Sequence, residues 1–129
     1  MKLLRKAKDG GPDSTVTGYW LIEWKRLFSI VLLRFDNGSR DAYHDHAFNA
    51  VSWVLSGTLI EYVSRLQSLA DIRLYRPSIR PVLTSRETMH KVVSRGTTWV
   101  LSFRGPWRDT WNEVTPEGTR SLTHGRRVI

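Results

Sequence analysis

An all-β fold in a single domain is the class this sequence predicts, and three observations carry the prediction. Apolar and polar residues alternate in short runs such as "YWLIEW" and "FNAVSWVLS". Gly, Pro, Asn, Asp or Ser bounds almost every run, as turns require. No segment holds a helical period over a useful length, and strands do not alternate with helical patterns. About eight or nine short strands in about 115 residues suggest a sandwich or a small barrel.

Taken in order, residues 1–15 read as a loose, basic, flexible lead-in. "DGGPDS" closes it, and residues 16–129 form the barrel proper. "YWLIEW" and "RLFSIVLLRF" are strands, followed by an Asn37-Gly38 pair suited to a tight reversal. "FNAVSWVLS" comes next, then Gly57, then "TLIEYVS". "RLQSLADI" is long enough for one helical turn and too short to anchor a helical layer. "IRLYR", "PVLTS", "MHKVVS" and "TTWVLSF" continue the strand pattern. "TPEGT" is a turn, and "RSLTHGRRVI" adds a last edge strand.

Twenty Lys and Arg against twelve Asp and Glu leave a net charge of +8. Such a balance favours an acidic partner, nucleic acid included. The basic residues are scattered singly or in pairs such as Lys25-Arg26 and Arg126-Arg127, a pattern that a solvated surface explains equally well. The absence of cysteine excludes disulfides, thiolate metal sites and cysteine nucleophiles, and suits a reducing compartment. The basic N-terminus leads into no apolar run of signal-peptide length, and no later stretch is long enough to span a membrane. A cytoplasmic protein is the expectation.

Chemistry concentrates in "GSRDAYHDHAFNAVSWVLSG", residues 38–57. In a strand, side chains two apart share a face, so His44 and His46 can reach one point. The same parity continues through Phe48, Ala50, Ser52 and Val54. The opposite parity holds Val51, Trp53 and Leu55, a bulky face that wants a packing partner. Neutral imidazole suits Fe, Zn, Cu, Ni and Co, but two ligands are too few for a tight site. His90, in the strand-like "ETMHKVV", is the best third ligand. Read from the residues alone, these histidines are either one metal site or unrelated polar groups.

The spacing of the surrounding glycines resembles the first motif of the cupins. Gly38, five residues, His44-Asp45-His46, three residues, Ala50, six residues and Gly57 reproduce that motif, except that Ala50 replaces its glutamate. For the second motif, His90 stands for its histidine, while Ser85, Glu87 and Ser94 replace its usual proline, glycine and asparagine. "TTWVLSFRGPWRDTWNEVTPEG" is similar to a set of small cupin-like proteins of bacteria and phages, and the resemblance covers roughly residues 36–118.

The resemblance implies a single-domain, cupin-type double-stranded β-helix, or jelly-roll barrel, with a metal on His44, His46 and His90. Without the carboxylate, three neutral imidazoles leave a divalent ion its full charge and open positions. Some cupin oxygenases use such a site, so a non-haem Fe(II) dioxygenase acting on a small polar or anionic substrate is the preferred reading. Zn, Ni or Mn are alternatives to iron. A 2-oxoglutarate oxygenase fits less well, because Asp45 and Asn49 have the wrong parity to serve as the carboxylate.

Further candidates line the same barrel. Either Glu61 or Tyr62 must face inward. Glu61 could hydrogen-bond a ligand histidine, act as a base, or sit on the rim paired to an arginine. Arg104 shares the parity of Val100 and Ser102; it is either an inward arginine for a substrate carboxylate or phosphate, or a surface residue at the barrel end. Ser52 has no partner that would make it a nucleophile. Trp20, Trp24, Trp53 and Trp99 read as packing residues. Trp107 and Trp111 read as pocket rim, dimer contact or, beside Arg104 and Arg108, a stacking surface for single-stranded nucleic acid. His124 reads as surface. The competing function is a non-catalytic cupin that uses a basic, Trp-rich surface to bind nucleic acid or a protein. A homodimer through the Val51/Trp53/Leu55 face is also expected.

Overall fold

The structure, a computed structural model, describes residues 1–9, 14–38, 43–65, 68–86, 88–115, 118–123 and 127–128. For residues 43, 44, 64, 65, 68–70, 114, 115, 118, 120, 127 and 128 the description is of the backbone alone. The described residues form strands β1 (Lys2–Lys8), β2 (Val16–Trp24), β3 (Phe28–Phe35), β4 (Tyr43–His44), β5 (Ala50–Arg65), β6 (Ser68–Tyr75), β7 (Val82–Thr84), β8 (His90–Arg104), β9 (Thr110–Thr115), β10 (Gly118–Thr123) and β11 (Arg127–Val128). All pairings between them are antiparallel, and the expected all-β barrel is what forms. Among the described residues no helix is long and apolar enough to cross a membrane.

Two long strands organise everything else. β5 and β8 pair with each other from Ala50↔Arg104 to Val63↔His90, and the ladder is broken by register shifts between Val54 and Thr58. On one side of the break, β8 pairs with β3 and β5 pairs with β7, giving the order β1-β2-β3-β8-β5-β7. On the other, β5 pairs with β6, and β8 meets β4, which continues into β9, β10 and β11. The two strands thus pass from one sheet into the other, as strands at the corner of a sandwich do.

Gly57 sits at that corner with φ +90°. A Cβ there would stand 2.5 Å from Thr98 Oγ1 and 2.6 Å from the Thr97 carbonyl oxygen, so only glycine fits. Thr98, fully buried, accepts from Thr58 N–H at 3.0 Å and donates to the Thr58 carbonyl at 3.1 Å, which satisfies backbone groups that the broken ladder leaves over. The bulge also reverses the parity of β5. Val54 faces inward before it; Leu59 and Glu61 face inward after it.

The main core packs Trp20, Val31, Leu33, Val54, Leu59 and Val100 between the two halves. Burial of each is worth about 1.5–3 kcal/mol. A second cluster of Ala47, Phe48, Trp111 and Leu122 closes one end.

Several elements differ from the sequence reading. Residues 2–8 are not a loose lead-in: β1 pairs along β2 from Lys2↔Glu23 to Lys8↔Thr17. An Arg5–Glu23 ion pair of 2.8 Å and the Arg5 guanidinium 4.5 Å over the Trp20 ring hold it there. Residues 68–72, the later part of the stretch that could have made a helical turn, instead open β6 (Ser68–Tyr75), because the free edge of β5 offers a ladder. "TLIEYVS" does not begin a new strand, since Gly57 is a bulge inside β5. The Val51/Trp53/Leu55 face is outward. Leu55, Phe103 and Leu83 are exposed there, and Trp53 stands edge-on to Phe103 with its Nε1–H donating to the Ile79 carbonyl.

Gly57→Ala is expected to destabilise the fold by about 2–4 kcal/mol through strain and overlap with the Thr97–Thr98 backbone. Gly38→Ala, also at positive φ but with open space around its Cβ position, should cost only about 1 kcal/mol. Paired thermal and urea melts of the two variants check this ordering.

Candidate metal centre and cavity

The inward faces of both halves enclose a cavity of about 220 Å³. Val16, Leu33, Phe35, Val54, Leu59 and Val100 make most of its wall apolar. Polar side chains gather at few places: His46, His90, Glu61 and Tyr75 in one group, Arg104 with Asp9 in another, and Ser52 with Ser102.

His90 opens β8 and is buried. His46 belongs to no strand, contrary to the expectation of one strand carrying both motif histidines. β4 ends at His44, β5 begins at Ala50, and residues 45–49 are a connection. Asp45 fixes that connection. Its carboxylate accepts from the Asn112 backbone N–H at 2.6 Å and from Asn112 Nδ2 at 3.1 Å, and it pairs with Arg108 at 2.9 Å. Behind it, Gly105 N–H donates to the Asn49 carbonyl and Arg108 N–H to the Ala47 carbonyl. Asp45 is therefore a clamp to β9. Asn49 likewise accepts from Arg86 N–H and is exposed, so neither replaces the missing carboxylate ligand.

His46 and His90 meet edge to face, with ring centroids 4.7 Å apart and their Nε2 atoms 3.3 Å apart. On the other side of the His90 ring, Nδ1 lies 2.6 Å from Glu61 Oε2, and the Tyr75 hydroxyl donates to Glu61 Oε1 at 3.0 Å. Burial by itself raises the pKa of Glu61. The hydrogen bond and charge of His90 oppose this, helped by the Tyr75 hydroxyl and by Arg73, and the net result lies below the ordinary carboxylate value of 4.5. An ionised carboxylate only accepts, so His90 Nδ1 carries the proton and, in the neutral ring, Nε2 presents its lone pair towards His46. Of the two possibilities for residues 61 and 62, the inward one is Glu61. It reaches a histidine rather than a rim arginine.

His44 is described at its backbone, which is placed opposite His90 in one ladder and opposite buried Glu113 in another. Among the described residues, no group of three His, Cys, Asp or Glu side chains surrounds a single point. The His46–His90 pair nonetheless fits a metal. At imidazole–metal bonds of about 2.0–2.1 Å, two nitrogens at about 90–110° around one ion stand about 2.8–3.4 Å apart, which includes the observed spacing.

Arg104 does point inward and is only 5% exposed, but it is not bare. Its Nη2 donates to Asp9 Oδ2 at 2.8 Å, Nη1 lies 3.5 Å from Asp9 Oδ1, and the guanidinium stacks 4.5 Å over Phe48. Ser52 Oγ donates to Ser102 Oγ and has no nucleophile arrangement around it. Trp107 and Trp111 pack edge to face against each other, and Trp107 packs on Phe48. With Trp111 at 8% exposure and Trp107 half-buried, both rings line the cavity wall. His124 and Glu87 lie outside the described residues. Sequence reasoning missed Tyr75 and Asp9. Nothing in "IRLYR" marks its tyrosine, and Asp9 sits in a segment read as loose.

Glu61→Gln should cost about 1–3 kcal/mol, since it leaves buried donors facing an amide. It should also change the acid sensitivity of the metal-free protein. A carboxyl whose folded pKa is depressed stabilises above its ordinary value of 4.5 and loses that contribution as the pH falls through its folded value. Wild type should therefore lose more stability than Glu61→Gln below about pH 4.5. Urea melts across pH 3–7 read the difference.

No protein-family model and no curated protein sequence matches the chain. Solved structures do. An RmlC-like cupin from Shewanella frigidimarina superposes with a TM-score of 0.60 at 18% identity, over 82% of this chain and 86% of that one. KdgF from Halomonas sp. gives 0.58 at 17% identity, over 79% and 88%. The structure of FeII HppE gives 0.61 at 16% identity over 78% of this chain, which spans only 55% of that longer protein. With β5 and β8 turning between two antiparallel sheets around an internal cavity, this chain has the cupin fold.

Proposed function

We propose that this chain is a metal-dependent cupin that holds one divalent ion on His46 and His90, with His44 as the third imidazole. The observation that carries the reading is the 3.3 Å approach of the two Nε2 atoms, one of which Glu61 sets in its lone-pair form. Glu61 lies against Nδ1, on the far side of the ring, so it acts on the site through His90. When bound, the ion supplies a Lewis acid and, as iron, a position where substrate and dioxygen can meet. Fe(II), the ion named with the similar HppE structure, is the preferred one; a three-imidazole site with open positions suits a non-haem dioxygenase, in a reducing cytoplasm.

The chain's own residues have separable tasks. Leu33, Phe35, Val54, Leu59 and Val100 exclude water and receive the apolar part of a small substrate. Glu61 keeps the proton of His90 on Nδ1, and Tyr75 keeps Glu61 in place. Arg104 is the cationic group of the cavity and orients a polar head. The same reading includes a homodimer through the outward Leu55/Phe103/Leu83 face, since paired sheets cover such apolar area. A non-catalytic cupin binding nucleic acid or protein through its basic surface is the competing reading, and it makes no use of the histidine pair.

Metal content tests the site on which the first reading stands. Protein purified without chelator or histidine tag should carry close to one equivalent of iron by mass spectrometry. His46→Ala and His90→Ala should each lower that occupancy at least about tenfold. Wild type that stays metal-free after anaerobic Fe(II) reconstitution sinks the reading. Sedimentation of wild type against Phe103→Asp tests the dimer, with a shift to monomer expected in the variant.

A further inference from the structure

The ion pair between Arg104 and Asp9 is unusual in its asymmetry. Arg104 is 5% exposed and is the last residue of β8, whereas the Asp9 side chain is 29% exposed and lies in the turn after β1. Both residues line the same cavity as His46 and His90. Phe48 links the two regions: its ring lies 5.3 Å from that of His46 and 4.5 Å beneath the Arg104 guanidinium. The pair is also incomplete. Arg104 Nε is buried and donates to no partner among the described residues, and one of the two bonds to Asp9 is stretched to 3.5 Å. A guanidinium has five donors in a fork shaped for carboxylates, so a second carboxylate in the cavity can use donors that Asp9 leaves over.

From these observations we infer that Asp9 is a built-in counter-ion for Arg104, and that the cavity's ligand is a small carboxylic acid whose carboxylate takes the guanidinium in exchange for Asp9. The exchange keeps a carboxylate on a buried cation, so no bare charge is created. Asp9 regains water at the rim, while the acid can reach donors that Asp9 leaves unused. The walls select the rest of the molecule. They are mostly apolar, aliphatic at Leu33, Val54, Leu59 and Val100 and aromatic at Phe48 against Arg104, which suits a short hydrocarbon body. A cavity of about 220 Å³ is smaller than those that hold drug-sized ligands, and so restricts the acid to a few carbons. This deepens the proposed function by naming a substrate class, but it stands on Arg104 and Asp9 and needs no metal.

Isovalerate and its uncharged isostere isovaleramide test it, titrated calorimetrically into chelator-treated protein so that a failed metal site cannot alter the result. Wild type should bind the acid at least about tenfold more tightly than the amide. Asp9→Asn, which removes the competing charge, should bind the acid a further tenfold more tightly, leave the amide unchanged, and gain more in melting temperature from the acid than wild type does. Arg104→Gln should bind acid and amide alike. Equal binding of acid and amide by wild type overturns the inference, as does an Asp9→Asn protein whose affinity for the acid is unchanged or lower. The wild-type comparison stands even if Asp9→Asn fails to fold.

Discussion

Everything in this barrel depends on one constraint, the continuous pairing of β5 with β8 through a corner. Two strands that stay hydrogen-bonded while crossing from sheet to sheet must shed register somewhere, and they do so where Gly57 lies against the Thr97–Thr98 backbone. Because the bulge reverses the parity of β5, even-numbered residues line the cavity before it and odd-numbered ones after it. Ser52 and Val54 then share an interior with Glu61, and Glu61 comes to face His90 across the same ladder. A single backbone position thereby decides which carboxylate enters the site.

The interior is largely aliphatic, and its ionic groups come with partners supplied from elsewhere in the chain. Glu61 has His90 and Tyr75, from β8 and β6. Arg104 has Asp9, from the turn after β1. Asp45 has Arg108 and the backbone of Asn112. Isolated charges in such a medium would cost several kcal/mol each, so the partners are conditions for folding as well as for function. The carboxylate that the cupin motif carries at position 50 is absent here, and Glu61 brings a negative charge to the Nδ1 side of His90 instead.

The same logic accounts for the tryptophans. Six in one small domain suggest an interaction surface, yet Trp107 and Trp111 are held edge to face under Phe48 and close one end of the barrel. The apolar surface that remains outward belongs to the other parity of β5 and β8, around Leu55 and Phe103.

By itself the sequence determined the all-β class, the strand-forming runs, the motif glycines and the inward parity of Phe48, Ala50, Ser52 and Val54. These are local properties: side-chain period, turn chemistry and a spacing of glycines are legible within a dozen residues. It also narrowed residues 61 and 62 to one inward side chain without saying which. Only tertiary structure chose Glu61, joined it to Tyr75, turned residues 2–8 from a loose lead-in into β1, and set Asp9 against Arg104. Each of those choices rests on strands distant in sequence, on where a bulge falls and on which buried charge needs a counter-ion, and no local pattern encodes a partner ninety residues away.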